Sequence, residues 1–383
     1  FKDMALQIMP RLLSLALKKT GENRTAHILV ATSGDTGKAA LEGYKDVEQV
    51  KITVFYPEDG VSRMQKLQMA TQEGENVRVY AIKGNFDDAQ TGVKHIFADS
   101  AFNDKLHENG MFLSSANSIN WGRLAPQIVY YLSAYCDLLK ENDIALGEKV
   151  DVTVPTGNFG NIFAAYIAKR MGLPIGTLIC ASNKNNILTD FLNTGVYDRN
   201  RTFYTTMSPS MDILISSNLE RLLYLIAGPE KTASYMKQLS ETGRYEVEKD
   251  VLDEIQKNFR AYFCDEEKCA STIRGMFRKY SYVLDPHTSV AVYAAERFIT
   301  DYQTGFKNIV ASTASPYKFA ADVMRSLDRD VTGLADKDVL EALSDYSKTE
   351  IPAPLASLFT KKVRFTDSIE KDTASMEKAV LNA

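Results

Sequence analysis

The sequence predicts an α/β fold built on parallel sheet, and three observations carry that prediction. Short apolar runs alternate with helical patterns between residues 26 and 182. The segments joining the runs are long enough to hold a helix, which parallel strands require and hairpins do not. The composition is that of a chain with a large core, 45% hydrophobic and 25% charged. At 383 residues the chain is long enough for two or three domains.

Residues 4–19 read as a helix, with Leu6, Met9, Leu13 and Leu17 on one face and a kink or restart expected at Pro10. AHILVAT (26–32) is a first strand, followed by the loop SGDTG and a helix. KITVFYP (51–57) is a second strand, and 63–74 is a helix closed by Gly74. VRVYAIKG (77–84) is a third, 86–110 is helical, and MFLSSAN (111–117) is a fourth. A long helix containing Pro126 covers 121–142, then 150–172 runs strand, glycine loop, helix, and 173–182 is another strand. Residues 183–215 are polar and loop-like, and helices follow at 217–227, 230–240 and 248–262. KNIVAST (307–313) is a late strand, and the tail 337–383 is charged, mostly helical and broken by Pro352 and Pro354. Right-handed crossovers place all strand-to-helix loops of a parallel sheet on one edge, where chemistry is expected.

Composition excludes several classes of function. With 45 basic and 49 acidic residues the net charge is −4, too neutral for a dedicated nucleic-acid binder. No apolar stretch approaches the roughly 18 residues that span a membrane. Cysteines 136, 180, 264 and 269 form no CxxC pair and read as reduced thiols of a cytoplasmic protein. Histidines 27, 95, 107 and 287 show no metal-ligand spacing and read as structural. No metal site is expected. The chain opens on Phe1-Lys2-Asp3 with a helix already under way, so it reads as a fragment or a processed product.

Two junctions stand out, ILVATSGDTGKAA (28–40) and VTVPTGNFGNIFAA (152–165). In each, a strand enters a loop with two glycines three residues apart, and a helix follows at once. Such a loop aims backbone N–H groups and a helix N-terminus at one point, which suits a phosphate or carboxylate. Neither is GxGxxG, so a dinucleotide is not indicated. A third segment, SSANSINWGR (114–123), gathers Asn117, Ser118, Asn120 and Arg123, groups suited to an oxyanion.

These motifs resemble one family. PTGNFGN before an apolar helix resembles the cofactor-phosphate loop of fold-type II pyridoxal 5'-phosphate (PLP) enzymes, and FKDMALQ resembles the segment bearing their Schiff-base lysine. Together with TSGDTGKAA, KGNFDDAQ, SANSINWGRL, SPSMDILISSNLERL and DPHTSVA, in order from residue 1 to about 320, they resemble threonine synthase. The resemblance implies two open, twisted parallel-sheet domains with the active site in the cleft between them. It implies a lysine-bearing helix of the larger domain over 1–24, a smaller α/β domain over 25–120, a larger PLP-phosphate-binding domain over 121–336 and a C-terminal helical tail over 337–383. It also implies a segment preceding Phe1.

Carried over by position, the resemblance makes Lys2 the Schiff-base lysine and catalytic base. It puts Gly157, Asn158, Phe159, Gly160 and Asn161 on the PLP phosphate, Thr313 at the pyridine nitrogen and Asp35 by the cofactor ring. Ser33 and Thr36 face the substrate, and Asn117, Ser118 and Arg123 take the substrate phosphate. Where the family often reads TAHP, this chain has Thr313-Ala314-Ser315-Pro316. The implied activity is conversion of O-phospho-L-homoserine and water to L-threonine and phosphate, in threonine biosynthesis, by a monomer or homodimer with no membrane or nucleic-acid partner. The alternatives are a threonine synthase-like phospho-lyase and an inactive fragment.

Overall fold

The computed structural model describes residues 2–32, 34–58, 61, 63–118 and 120–382. It divides into two compact units, Phe1–Pro126 with Glu350–Ala383, and Gln127–Thr349.

The first unit is built on five parallel strands: β1 (Thr25–Ala31), β2 (Val50–Pro57), β3 (Val77–Lys83), β4 (Met111–Ser115) and a late addition from the tail, Ser368–Glu370, in the order tail strand-β3-β2-β1-β4. β1 and β2 are buried along nearly their whole length, as expected for a sheet covered on both faces. The two-residue period divides them cleanly. Ile28, Val30, Ile52 and Val54 pack with Leu6, Met9, Leu17, Ala39, Leu41 and Tyr44 on one face. Leu29, Ala31 and Phe55 pack with Ala89, Val93, Ile96, Phe102 and Leu106 on the other. Each fully buried side chain of this size contributes roughly 1.5–3 kcal/mol. KGNFDDAQ has a local role here: Asn85 and Asp88 form a capping box that starts the helix Phe86–Ala98.

The second unit holds a four-stranded parallel sheet of β5 (Val150–Pro155), β6 (Ile175–Ser182), Phe259–Phe263 and Lys307–Val310. The strand Lys307–Val310 lies beside β5, and Phe259–Phe263 lies beside β6 on the opposite side. Val196–Asp198 and Arg244–Glu246 form a small antiparallel pair.

Several expectations change. The helix expected over 248–262 ends at Gln256, and Phe259–Phe263 becomes an edge strand. Its aromatics favour a pleated surface, and Phe259 and Ala261 are buried. The loop-like 183–215 contains the helix Ile187–Thr194. Pro10 does not interrupt the helix Lys2–Thr20, which runs as one segment. The helix Lys2–Thr20 packs in the core of the first unit, because Leu6, Met9 and Leu17 find their partners on the helix Asp35–Tyr44. The tail past 350 returns to the first unit because its strand pairs with β3 and Met376, Ala379 and Val380 cover the second face of that sheet.

Candidate active site

In the first unit the candidate groups share one sheet edge. β1 and β4 are adjacent and parallel, so the loop after Ala31 and the loop after Ser115 leave the sheet side by side. Ser33 lies outside the described residues. Asp35 and Thr36 open the helix Asp35–Tyr44. The Thr32 hydroxyl accepts from the N–H groups of Gly34 and Gly37, both at 3.0 Å, and so shapes the turn. The Gln65 amide donates to Asp35 Oδ1 at 3.2 Å. Gly34 has φ 142°, a backbone conformation that favours glycine, and a Cβ there would displace the end of the Gln65 side chain.

At the neighbouring loop, Asn117 donates its N–H to Ser115 Oγ at 3.1 Å. Asn120, one of the polar cluster read from sequence, caps the short helix Trp121–Leu124 and donates its amide to the Ser115 carbonyl, so its role is local. Arg123 is buried, and its Nη1 donates to the Ala116 carbonyl at 3.0 Å. Its charge is felt at Tyr44, whose phenol is pushed well up by burial and drawn part of the way back by the guanidinium. Lys2 is the first residue of the helix that packs on Asp35–Tyr44 and on Trp121–Leu124, so it belongs to the same unit as the two loops.

In the second unit β5 runs into the PTGNFGN turn. Phe159 adopts a left-handed conformation, φ 61°, immediately before the helix Gly160–Arg170, and its ring is buried against Phe259. A non-glycine residue in that conformation is uncommon, and its aromatic packing helps to hold it there. Two side chains lock the peptide planes of the turn. Ser216 Oγ donates to the Gly157 carbonyl at 2.8 Å, and Asn218 Nδ2 donates to the Asn158 carbonyl at 2.9 Å. In a planar trans peptide the N–H points opposite to the carbonyl, so the N–H groups of Asn158 and Phe159 face away from this clamp. Arg221 donates to Asn218 Oδ1 at 2.9 Å, which fixes the orientation of the Asn218 amide. No side chain of the N-cap residue caps Gly160–Arg170, so its first-turn donors suit an anion.

Gly157 and Gly160 differ in what they avoid. A Cβ on Gly157 would sit 3.0 Å from the Ser210 carbonyl oxygen and 3.2 Å from Met211 Cα, so a side chain here would press on the segment behind the turn. A Cβ on Gly160 would meet nothing closer than Asn218 Nδ2 at 3.5 Å. The side chain of Asn161 is committed to the core, with Oδ1 accepting from the buried Tyr131 hydroxyl at 2.5 Å. Burial drives that phenol well above its ordinary range, so it stays a donor. Lys307–Val310 pairs with β5, so the Thr313 loop emerges beside the glycine turn. Ser315 caps the turn Pro316–Phe319 through the Tyr317 N–H.

The turn therefore fits a phosphate: its carbonyls are held back, its helix end lacks a side-chain cap, and Gly160 leaves space. Ser216 and Asn218 had no assigned role in the sequence. The only signal was their place in the motif SPSMDILISSN.

Residues 1–313 match the profile of the family described as pyridoxal-phosphate dependent enzyme. Residues 288–380 match that described as threonine synthase, C-terminal. Threonine synthase-like 1 of Macaca fascicularis is 41% identical across 100% of this chain and 52% of its own length. The chain thus spans about half the length of such relatives. Threonine synthase of Saccharomyces cerevisiae is 37% identical over 98% of this chain and 76% of its own. The crystal structure of PLP-bound threonine synthase from Brucella melitensis matches with a TM-score of 0.87 at 37% identity, over 100% of this chain and 75% of that one.

Proposed function

The chain belongs to the pyridoxal-phosphate-dependent enzyme family, in its threonine synthase branch, and on that premise we propose that it converts O-phospho-L-homoserine and water to L-threonine and phosphate. The observation that carries this reading is the presence of two separate anion-suited loops, one with a buried arginine. One fits a cofactor phosphate and the other a substrate phosphate.

The cofactor would be held by Lys2, by the backbone of Gly157–Asn161 and by the Thr313 hydroxyl. When bound, PLP supplies an electron sink conjugated to the substrate amine. Lys2 would carry the covalent tether and, once released by the substrate amine, take the proton from Cα. Phe159 and Asn161 serve through their main chain, since both side chains are packed inside the unit. Arg123, Asn117 and Ser118 would hold the γ-phosphate of the substrate and stabilise the charge that develops as it leaves. A buried arginine is suited to this, because low polarity around it strengthens the charge-assisted contact. The Thr313 hydroxyl is neutral, so beside the pyridine nitrogen it would leave that nitrogen unprotonated. Thr36 and the loop at Ser33 would face the substrate carboxylate, with Asp35 by the cofactor ring.

No helix among the described residues is long and apolar enough to cross a membrane. The four cysteines are free and three are buried, which suits a reducing compartment such as the cytoplasm.

A phospho-lyase reading is favoured by one observation, the 41% identity to threonine synthase-like 1. Product analysis separates the two. Protein loaded with PLP is incubated with O-phospho-L-homoserine, and phosphate, threonine and 2-oxobutyrate are measured. Threonine in step with phosphate supports the synthase; phosphate with 2-oxobutyrate alone supports the lyase. The Lys2→Ala variant should lose the cofactor's visible absorption band and turnover together. Turnover retained in that variant removes Lys2 from the reaction.

A further inference from the structure

The motif DPHTSVA has no role in the reading above, yet it sits directly behind the glycine turn. Asp285 and His287 are almost fully buried, at 1% and 3% exposure. Asp285 caps the 17-residue helix Pro286–Tyr302, its Oδ1 accepting from the N–H groups of His287 at 2.9 Å and Thr288 at 3.2 Å. Its other oxygen accepts from the Thr288 hydroxyl. His287 Nδ1 lies 3.2 Å from Asp285 Oδ1, and His287 Nε2 accepts from the backbone N–H of Ser210 at 3.2 Å. A backbone N–H can only donate, so Nε2 carries the lone pair and the ring proton sits on Nδ1, pointing at Asp285. The imidazole also packs against the Phe319 ring, with centroids 5.0 Å apart. Both ring nitrogens and the ring itself are thus engaged.

What this ring holds is the segment that Gly157 rests on. The Ser210 carbonyl and Met211 Cα are the atoms a Cβ on Gly157 would press against. A second anchor grips the same segment. Asp212 accepts from the Thr206 N–H and hydroxyl and from the amides of Asn183 and Asn185, which follow β6. The segment is thus pinned to a long helix through His287 and to the sheet through Asp212.

We infer that His287, oriented by Asp285, is a positioning residue for the phosphate-holding turn: it sets the height of the Ser210–Met211 backbone behind Gly157. This rests on the proposal that the turn holds the cofactor phosphate. A positioning role has a signature that general loosening lacks. Only the ligand's phosphate should sense the height of the turn, so affinity for PLP should fall while affinity for pyridoxal, which lacks the phosphate, should not.

The test titrates PLP and pyridoxal into the full chain, as wild type, His287→Leu, His287→Asn and His287→Gln, with thermal unfolding of each cofactor-free protein alongside. Glutamine places an acceptor near the position of Nε2, whereas asparagine reaches only as far as Nδ1. His287→Gln should bind PLP close to the wild-type affinity. His287→Leu and His287→Asn should bind it on the order of 10- to 100-fold more weakly, since the part-buried Ser210 N–H loses its acceptor. Pyridoxal affinity should stay constant through the series. If His287→Leu does not fold, the Gln and Asn pair decides alone. Unchanged PLP affinity in His287→Asn, or parallel loss of PLP and pyridoxal, overturns the positioning role. A wild type that binds PLP no better than pyridoxal instead overturns the assignment of the turn itself.

Discussion

Gly43 lies against the backbone of Leu6: a Cβ at residue 43 would overlap the Leu6 carbonyl oxygen. Two helices meet backbone to backbone at this point, and the one carrying Leu6 begins at Lys2. Small residues permit such approach, and nothing flexible is available to yield.

Gly43→Ala should therefore lower stability by about 1–3 kcal/mol, the range for overpacking a close contact. It should also weaken cofactor attachment at Lys2, because relief of the clash moves the helix. Gly275→Ala is the control, since its Cβ would meet nothing within 4 Å on an exposed helix face. Urea unfolding and PLP titration of both variants check this. Equal behaviour of the two would show that the Gly43 contact yields without cost.

The two glycines of the PTGNFGN turn make a sharper pair. Gly157→Ala presses on the Ser210–Met211 backbone, whereas a methyl on Gly160 has only an ordinary contact with Asn218. Gly157→Ala should lower both thermal stability and PLP affinity. Gly160→Ala should leave the cofactor-free protein as stable as wild type and still weaken PLP, by crowding the ligand. Undiminished PLP affinity in both would reduce the turn to a structural feature.

Arg123→Ala should impair phosphate release from O-phospho-L-homoserine far more than PLP binding. One charge-assisted contact to a buried phosphate is worth on the order of 2–4 kcal/mol. Inorganic phosphate should compete less well against the variant, and Arg123→Lys should rescue poorly because a forked grip needs the guanidinium plane. Equal loss of PLP and substrate affinity would leave Arg123 with its bond to the Ala116 carbonyl as its role.

His27 predicts how the protein responds to acid. It is fully buried on β1, with Nε2 2.8 Å from Thr53 Oγ1 and no partner for Nδ1 among the described residues. Burial, with a smaller push from the Lys51 charge, holds its pKa down to about 4 from 6.5. The unfolded chain thus binds a proton that the folded one refuses. Stability is intact above pH 6.5, declines as pH falls, and the loss is complete near pH 4. His27 alone should account for about 3 kcal/mol of that loss. His27→Gln should flatten the stability profile between those limits. An unchanged profile would assign the acid sensitivity elsewhere.

Local signals were enough for much of this protein. The apolar runs of β1 and β2 and the glycine loops after β1 and β5 are properties of short segments, readable without a fold, and the loops, with the other motifs, led to the family. The capping box at Asn85 and Asp88 and the cap at Asn120 are local too, and there the structure assigns simple turn chemistry to residues that sequence had grouped with function. Other features depend on partners far away in the chain. Phe259–Phe263 follows a helical pattern without a break signal, and only burial beside β6 makes it a strand. The tail strand Ser368–Glu370 is too short to show a period and exists because the edge of β3 accepts it. Ser216 and Asn218 clamp carbonyls about sixty residues earlier in the chain, and His287 reaches a backbone N–H at Ser210, 77 positions away. Hydrogen bonds of that separation have no sequence period to betray them; they form only once the packed sheets and helices have brought the two segments within 3 Å or so.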